Sequence, residues 1–348
     1  PDKMMRQQID NANYKDKFLT RILRVGYDIV AYPDEMKGWY SYAVEAGNEF
    51  LQKRKIDAMI SSSSPISTHL IAEKLKSRWN IPWIADFRDL WTQDYNYSDN
   101  HIALRRLAER HLELRTISKA DALVTVSKML AEDQMRFHKT KPVYVIPNGY
   151  DPEEMESIPS DKLTDKFIIT YSGSLHGCSR DPSFLFKAVQ DLISEGIIDP
   201  SHIQIRFYGD YEECLEKLIK HYEMQNIVRQ YGLISRDDIL KKQRESQLLL
   251  LLNWGDPGVL TGKVFEYLAA QRPILLISKV GGAIEELLNE TNTGIYAPTV
   301  DDIKNFLKRC YSEYISKGEV IYKGQSSKIE KYSHREMAKA FSGILNGL

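Results

Sequence analysis

Short apolar runs alternate with helical stretches along almost the whole chain, and this alternation limits the folds open to it. In the first half, helices are expected at residues 67–79, 102–118 and 128–137, and strands at residues 58–62, 83–85, 122–126 and 143–146. Parallel strands joined by helices are covered on both faces, so they form continuous apolar runs without polar alternation. The sequence therefore predicts an α/β protein with doubly wound parallel sheets.

The alternation breaks once, at the acidic and turn-rich residues 148–166, which predict an interdomain linker. Beyond it, strands are expected at residues 167–171, 204–208, 228–231, 248–252 and 274–277, and helices at residues 183–194, 214–223, 236–244, 263–270 and 284–289. A chain of 348 residues is also longer than one ordinary core requires. We therefore expect two Rossmann-like domains that face a cleft, residues 1–155 and 156–325, and a C-terminal helix at residues 326–348 that returns to the first domain.

The first domain is expected to be incomplete. Its four expected strands are fewer than a doubly wound domain usually contains, and the chain opens on Pro1 rather than on Met. A missing N-terminal portion would account for both observations.

Composition excludes several classes of function. The formal net charge is −1, so the protein as a whole has no electrostatic attraction to nucleic acid. The longest purely aliphatic run, residues 248–252, is far too short for a transmembrane helix, and no signal peptide is expected. The sequence has no DxD motif and no histidine pair with ligand spacing, so neither a metal ion nor a cofactor is expected. The cysteines lack CxxC spacing, which argues against a zinc site or a disulfide framework and favours a reducing cytoplasm; they are Cys178, Cys214 and Cys310.

One segment, residues 258–273 (GVLTGKVFEYLAAQRP), combines features that suit a phosphate. Thr261 and Gly262 form a small-residue turn at the start of an expected helix, where backbone N–H groups favour anions. Lys263 adds a full positive charge there, and Glu266 can accept hydrogen bonds from sugar hydroxyls. We expect a site for a nucleotide-sugar diphosphate. The alternative is an ordinary helix with Lys263 solvated and Glu266 acting as a cap.

A second candidate is the turn Ser-Gly-Ser-Leu-His-Gly that follows the first strand of the second domain. Backbone N–H groups near Gly173 and Ser174 can face a phosphate, and Arg180 follows closely enough to reach the same anion. The turn is not GxGxxG, so it does not indicate a dinucleotide site. A plain strand-to-helix turn with a surface arginine is the alternative.

The third candidate is a charged group at the end of an expected strand of the first domain. Asp86, Arg88 and Asp89 lie where an α/β domain places its ligands, and three charges there are costly unless they are paired or used. The alternative is an internal salt bridge from Arg88 to one of the two aspartates.

Residues 101–119 predict an amphipathic helix rich in arginine, with Arg105 among its basic residues. Such a helix suits an anionic membrane surface. A solvated helix face over the first-domain sheet is the alternative.

Six segments, taken in order, resemble the family 4 glycosyltransferases, a retaining group with the GT-B fold. Any one of them is weak, but the ordered set is specific and spans nearly the whole chain, with its nearest likeness to bacterial members that build surface polysaccharides. The segments are residues 56–65 (IDAMISSSSP), 81–91 (IPWIADFRDLW), 120–127 (ADALVTVS), 145–151 (VIPNGYD), 169–177 (ITYSGSLHG) and 261–275 (TGKVFEYLAAQRPIL).

The resemblance implies that the second domain binds the nucleotide sugar and the first binds the acceptor. Gly173 and Ser174 fall on the family's phosphate-facing turn. Lys263 falls on a diphosphate-binding position, and Arg180 is implied as a second cation. The N–H groups near Thr261 would share in holding the diphosphate.

The family's E-x7-E pattern is broken in this chain. Glu266 matches its second glutamate, which is implied to hold the ribose hydroxyls. The first position is Gly258, and Asp256, two residues away, is the candidate substitute. Asp86, Arg88 and Asp89 lie near the family's interdomain catalytic contacts, where this chain has no histidine.

The implied reaction is that of a metal-independent, retaining hexosyltransferase of class EC 2.4. The leaving phosphate is thought to deprotonate the acceptor in this family, which would explain the absence of a clear general-base pair. The expected partners are a nucleoside-diphosphate sugar, with UDP favoured, and a glycan or lipid-linked acceptor at the inner face of a membrane; nucleic acid is not expected. The alternatives are a GT-B-like sugar-nucleotide epimerase or hydrolase and a non-catalytic nucleotide-sugar-binding scaffold.

Overall fold

The computed structural model describes residues 25–94, 97, 101–158, 163–253 and 255–348. They divide into two compact units. The first unit ends at Ile146 and also includes Phe341–Leu348, and the second unit is Pro147–Ala340. Each unit contains one parallel sheet flanked by helices, as the α/β prediction requires.

The first unit has a four-stranded sheet in the order β1-β2-β3-β4, and every neighbouring pair is parallel. Strands β2 and β3 are buried along their whole length, which explains their continuous apolar sequences. The four strands lie close to the expected bounds: β1 Met59–Ser63, β2 Trp83–Phe87, β3 Ala122–Thr125 and β4 Val143–Val145.

The helices of the first unit begin and end at recognisable local signals. Ser127 caps the helix after β3 by accepting a hydrogen bond from Leu130 N. Asn80 ends the helix after β1 in the left-handed conformation. The helix before β1 was not expected from the sequence. Residues 25–30 are also helical. The helices of this unit whose bounds lie within the described ranges are α1 Tyr40–Lys53, α2 Ser67–Trp79, α3 Ala103–Ile117 and α4 Lys128–Phe137.

The second unit has a six-stranded parallel sheet in the order β10-β9-β8-β5-β6-β7. The strand order reverses between β5 and β8, and in open α/β sheets ligands bind beyond the carboxyl ends of the strands at such a point. The three-residue strand β10 was not expected. The six strands are β5 Phe167–Ser172, β6 Ile203–Tyr208, β7 Val228–Gln230, β8 Leu248–Asn253, β9 Ile274–Ser278 and β10 Gly294–Tyr296.

The helices of the second unit cover this sheet. The long helix after β10, which was not expected, packs Tyr311 and Tyr314 against Phe167 at the start of β5. The helices are α5 Pro152–Ser157, α6 Ser183–Ser194, α7 Glu213–His221, α8 Arg236–Arg244, α9 Gly262–Ala270, α10 Ala283–Thr291, α11 Val300–Lys317 and α12 Ser326–Ile329. A further helix, α13 His334–Leu345, begins in the second unit, and its residues from Phe341 onward belong to the first. None of the helices in the described ranges is long and apolar enough to cross a membrane.

Two segments differ from their predictions. The expected linker, residues 148–166, contains α5, which Asp151 caps by accepting hydrogen bonds from Glu153 N and Glu154 N; residues 159–162 lie outside the described residues. The tail is not one helix, because Ser333 is extended between the short segments α12 and Glu330–Tyr332 on one side and α13 on the other.

The expectation of no disulfide is wrong. Cys178 and Cys214 form one, with their Cα atoms 6.1 Å apart. They are 36 residues apart in the sequence, but Cys178 lies after β5 and Cys214 lies after β6, and these strands are neighbours. Disulfides are uncommon in a reducing cytosol, so the cysteine content no longer favours that compartment. Cys310 is free and buried, and burial raises the pKa of its thiol to about 12.

Candidate functional site

Two glycines shape the turn beyond β5. Gly173 has a φ of +116°, and its N–H donates to the carbonyl of Tyr208 at 2.7 Å. Gly209, beyond β6, has a φ of +151°, and a Cβ there would lie 2.5 Å from the carbonyl oxygen of Gly173. Only glycine combines these conformations with such close backbone approach. The two turns therefore touch at the carboxyl edge of the sheet.

Lys263 reaches this turn from the first turn of α9. A Cβ on Gly173 would lie 2.6 Å from Lys263 Nζ, so the side chain fills the space that the missing Cβ leaves. Nζ also lies 4.1 Å from the centroid of the Tyr171 ring, within the range of a cation–π contact. Burial, and then the charge of Arg180, lower the pKa of Lys263 to about 7, against an opposing effect of Glu266. Lys263 is thus held inside the site rather than solvated.

The start of α9 offers further polar groups. Thr261 occupies the N-cap position in an extended conformation without capping the helix through its side chain. Its Oγ1 is buried and has no hydrogen-bond partner among the described residues. Gly262 follows as the first residue of the helix, so unpaired backbone N–H groups lie beside this hydroxyl. This arrangement suits an anion at the N-terminus of α9.

The far side of the glycine turn carries a carboxylate that the sequence analysis did not single out. Glu212 Oε1 accepts hydrogen bonds from Ser174 Oγ at 3.3 Å and from Gly177 N at 3.4 Å. Arg180 donates from NH1 to the carbonyl of Ser174 at 3.2 Å. Arg180 therefore lies at the turn, as expected. The N–H of Gly177, at the far end of the turn, already donates to Glu212. A phosphate would meet the inner part, near Gly173 and Lys263.

A cavity of about 350 Å³ opens beside these groups. Its wall includes Glu266, whose Oε1 accepts a hydrogen bond from Arg236 NH1 at 2.9 Å. Glu266 is thus in an ion pair and does not cap the helix, and Arg236 is a neighbour that no sequence motif had indicated. The lining residues are Ser172, Gly173, Tyr208, Gly209, Leu233, Ile234, Ile239, Gly262, Lys263 and Glu266.

Asp256 and Gly258 are not among the residues that line this cavity. Asp256 Oδ1 accepts a hydrogen bond from Gly258 N at 2.7 Å, which closes a local turn. The contact engages one carboxylate oxygen of Asp256 within its own loop.

The charged group of the first unit contains the salt bridge that was the alternative interpretation. Arg88 Nε donates to both carboxylate oxygens of Asp86, at 2.8 and 2.9 Å, and Arg88 NH1 donates to the carbonyl of Ile146. The side chain of Asp89 is exposed. Partial desolvation and the Asp94 carboxylate raise its pKa, while Arg88 opposes the shift. These three residues belong to the first unit, and the residues around Lys263 belong to the second.

Helix α3 buries part of its expected basic face. Arg105 is buried and bonds to Asp28 and Glu109, so it does not contribute to an exposed surface. The outward face carries exposed apolar side chains with basic residues between them; these are Leu104, Leu107, Arg110, Leu114 and Arg115. Lys119 lies beyond the end of α3 and pairs with Glu73.

Comparison with known proteins identifies the fold, and one family model matches part of the chain. Residues 12–154 match the family model described as Glycosyltransferase Family 4. A glycosyltransferase from Rickettsia africae ESF-5 matches with a TM-score of 0.65 at 15% identity, over 97% of this chain and 83% of that chain. Anabaena HepE, solved with UDP and glucose, matches with a TM-score of 0.64 at 14% identity, over 89% and 81%.

The lipopolysaccharide outer core galactosyltransferase WaaB, solved in its apo form, matches with a TM-score of 0.56 at 17% identity, over 97% of this chain and 83% of that chain. No curated protein sequence matches the chain. The structural matches confirm the GT-B fold, and the family match confirms the resemblance drawn from the sequence.

Proposed function

We propose that this chain is a member of glycosyltransferase family 4, whose model matches its residues 12–154, and that it transfers a sugar from a nucleoside-diphosphate donor held by the second unit. The first unit would bind the acceptor, a glycan or a lipid-linked sugar. The transfer would retain the anomeric configuration and need neither a metal ion nor a cofactor. The biological role would be the synthesis of a cell-surface polysaccharide.

The observation that carries the proposal is the position of Lys263 against the glycine turn. Negative charge builds on the departing diphosphate as the glycosidic bond breaks, and groups already aimed at that charge stabilise the transition state. Lys263 Nζ, the N–H groups near Thr261 and the guanidinium of Arg180 lie around the carboxyl end of β5. A bound diphosphate would thus meet two cations and a helix N-terminus.

Two structural relatives support the finer parts of the proposal. HepE has been solved with UDP and glucose and also with UDP-glucose, which favours a UDP-sugar as the donor here. WaaB is described as a lipopolysaccharide galactosyltransferase, which favours a surface glycan as the acceptor. The outward face of α3 supports placement at the surface of an anionic membrane.

The test incubates the full chain with UDP-glucose, UDP-galactose and UDP-N-acetylglucosamine, with and without polyprenyl-diphosphate-linked sugar acceptors, in EDTA and in Mg²⁺. Product analysis by NMR is expected to show transfer that depends on the acceptor, retains the anomeric configuration and is unchanged by EDTA. Conversion of the donor alone would instead indicate an epimerase or hydrolase. Donor binding without any turnover would indicate a non-catalytic scaffold.

A further inference from the structure

Arg236 bridges two acidic side chains from different helices of the second unit. Its NH2 donates to Glu154 Oε2 at 2.7 Å, its Nε donates to Glu154 Oε1, and its NH1 donates to Glu266 Oε1 at 2.9 Å. Glu154 lies on α5, Arg236 begins α8 and Glu266 lies on α9. One guanidinium therefore ties the first turn of α8 to two neighbouring helices.

The three side chains of this ion-pair bridge differ in how far they are exposed to solvent. The side chains of Glu154 and Glu266 are 25% and 26% exposed, whereas Arg236 is 56% exposed. The hydrogen bonds to the two carboxylates raise the pKa of Arg236, so it stays charged. A planar guanidinium that holds one carboxylate through two parallel bonds has little freedom left for its third contact. Glu154 thus fixes Arg236, and Arg236 fixes Glu266.

Glu266 connects the ion-pair bridge to the cavity, because its carboxylate pairs with Arg236 and also lines the cavity wall. Glu266 lines the cavity together with Leu233, Ile234 and Ile239, which flank Arg236 in sequence, while Arg236 itself is not among the lining residues. Glu266 Oε1 is engaged by Arg236, and Oε2 accepts no hydrogen bond from any residue in the described ranges. Fixing one oxygen in advance lowers the entropic cost of using the other for a ligand.

We propose that Arg236, anchored by Glu154, is a positioning residue that orients the Glu266 carboxylate for the ribose hydroxyls of the nucleotide. The inference rests on the proposed function, because it assumes that a nucleoside diphosphate occupies this cavity. Arg236 acts through Glu266 and does not itself contact the nucleotide. Its loss would also leave two carboxylates without the cation between them, so Glu266 would move away from its bound orientation.

The test compares the Kd of UDP, GDP and ADP with the Kd of their 2′,3′-dideoxy counterparts by calorimetry. For the base that binds, removing the ribose hydroxyls is expected to weaken binding to the wild-type chain by about tenfold to a hundredfold, the usual effect of hydrogen bonds to a charged acceptor. The ratio of the dideoxy Kd to the Kd of the ordinary nucleotide measures this effect, and it is expected to fall in Glu266→Gln. Arg236→Gln lowers the ratio in the same way while the Kd of the dideoxy nucleotide stays at the wild-type value.

Three further variants separate positioning from structural damage. Arg236→Gln combined with Glu154→Gln removes the repulsion between the carboxylates and is expected to keep the wild-type Tm and the lowered ratio. Arg236→Lys, which keeps the charge but loses the fork, is expected to restore the ratio in part. Arg335→Gln breaks the exposed ion pair to Glu153 on the same helix α5 and should leave the ratio unchanged.

A wild-type ratio in Arg236→Gln, with the ratio lowered in Glu266→Gln, would overturn the positioning role and leave the proposed function standing. A weaker Kd for the dideoxy nucleotide in Arg236→Gln would also overturn it, because the effect would then not pass through the ribose. Equal Kd values for both nucleotides in the wild-type chain, or no binding of any of the three, would remove the nucleotide site itself and this inference with it.

Discussion

Lys263 Nζ lies 4.1 Å from the centre of the Tyr171 ring, in the space that a side chain on Gly173 would occupy. The ammonium group thus packs on an aromatic face, in space that Gly173 leaves open, and no carboxylate in the described ranges forms a salt bridge with it. Burial and the nearby Arg180 disfavour its charged form and lower its pKa. A bound diphosphate would place further negative charge beside Lys263 and favour its charged form.

Diphosphate binding should depend on the protonation of Lys263. The free site has a Lys263 pKa of about 7, and a bound diphosphate would raise it because the charged form is then favoured. Affinity should therefore be full below about pH 7 and fall as the pH rises above it, and binding at about pH 8 should take up protons. Calorimetry of UDP binding in buffers of different ionisation enthalpy measures this uptake. Lys263→Met should lose the uptake; its persistence there would assign the titration to another group.

Gly209 should tolerate no side chain. In Gly209→Ala the new Cβ would lie 2.5 Å from the carbonyl oxygen of Gly173, so the two turns would have to separate. We expect a loss of about 2 kcal/mol or more in the free energy of unfolding. Gly196→Ala is the matched control, because Gly196 also has a positive φ but has open space around it. Urea unfolding of both variants measures the difference, and equal losses would contradict the close approach of the turns.

The disulfide should be a major source of stability for the second unit. It closes a loop over a sequence separation of 36 residues between Cys178 and Cys214. The chain-entropy model predicts that its removal in a Cys178→Ser/Cys214→Ser double variant costs about 2–4 kcal/mol. Dithiothreitol should lower the Tm of the wild-type chain and leave the double variant unchanged. A thiol assay of the denatured, unreduced protein should find Cys310 alone, and three reactive thiols would contradict the disulfide.

The outward face of α3 should bind anionic membranes. Leu104 and Leu107 are 75% and 68% exposed, and Arg110 and Arg115 lie on the same exposed face. Replacing both arginines by alanine should weaken binding to phosphatidylglycerol vesicles about 10-fold to 30-fold, at about 1 kcal/mol for each charge. Cosedimentation at rising salt measures the electrostatic part, and Lys308→Ala on the second unit is the control. Binding that is insensitive to salt would contradict this surface.

The sheet strands and most helices could be predicted from the sequence because their apolar runs are local signals. Strand β10 begins at Gly294 and has Ile295 as its one aliphatic residue, so it shows no apolar run, and glycine is depleted in strands. Helix α11 did carry a usable signal, since Thr299 and Asp302 form a capping box at its start. The linker helix α5 also had one, with Asp151 as its cap before Pro152.

In the candidate site too, the residues with local sequence signals could be predicted, and those that depend on contacts between distant segments could not. Gly173 and Lys263 each stand in a motif that predicts phosphate binding, and the structure brings the two motifs together. Glu212 and Arg236 could not be predicted, because their partners come from neighbouring strands and helices that only the folded sheet places beside them. The Cys178–Cys214 pair was missed for the same reason.

The central claim is that Lys263 binds and stabilises the diphosphate of the donor. Its most direct test is the kcat/KM for the donor of the wild-type chain, of Lys263→Ala and of Lys308→Ala, an exposed lysine of the same unit. We expect Lys263→Ala to lose about 2–4 kcal/mol of transition-state stabilisation, about 30-fold to 1,000-fold in rate, with its Tm retained. Lys308→Ala should match the wild type. A normal kcat/KM in Lys263→Ala would contradict the account.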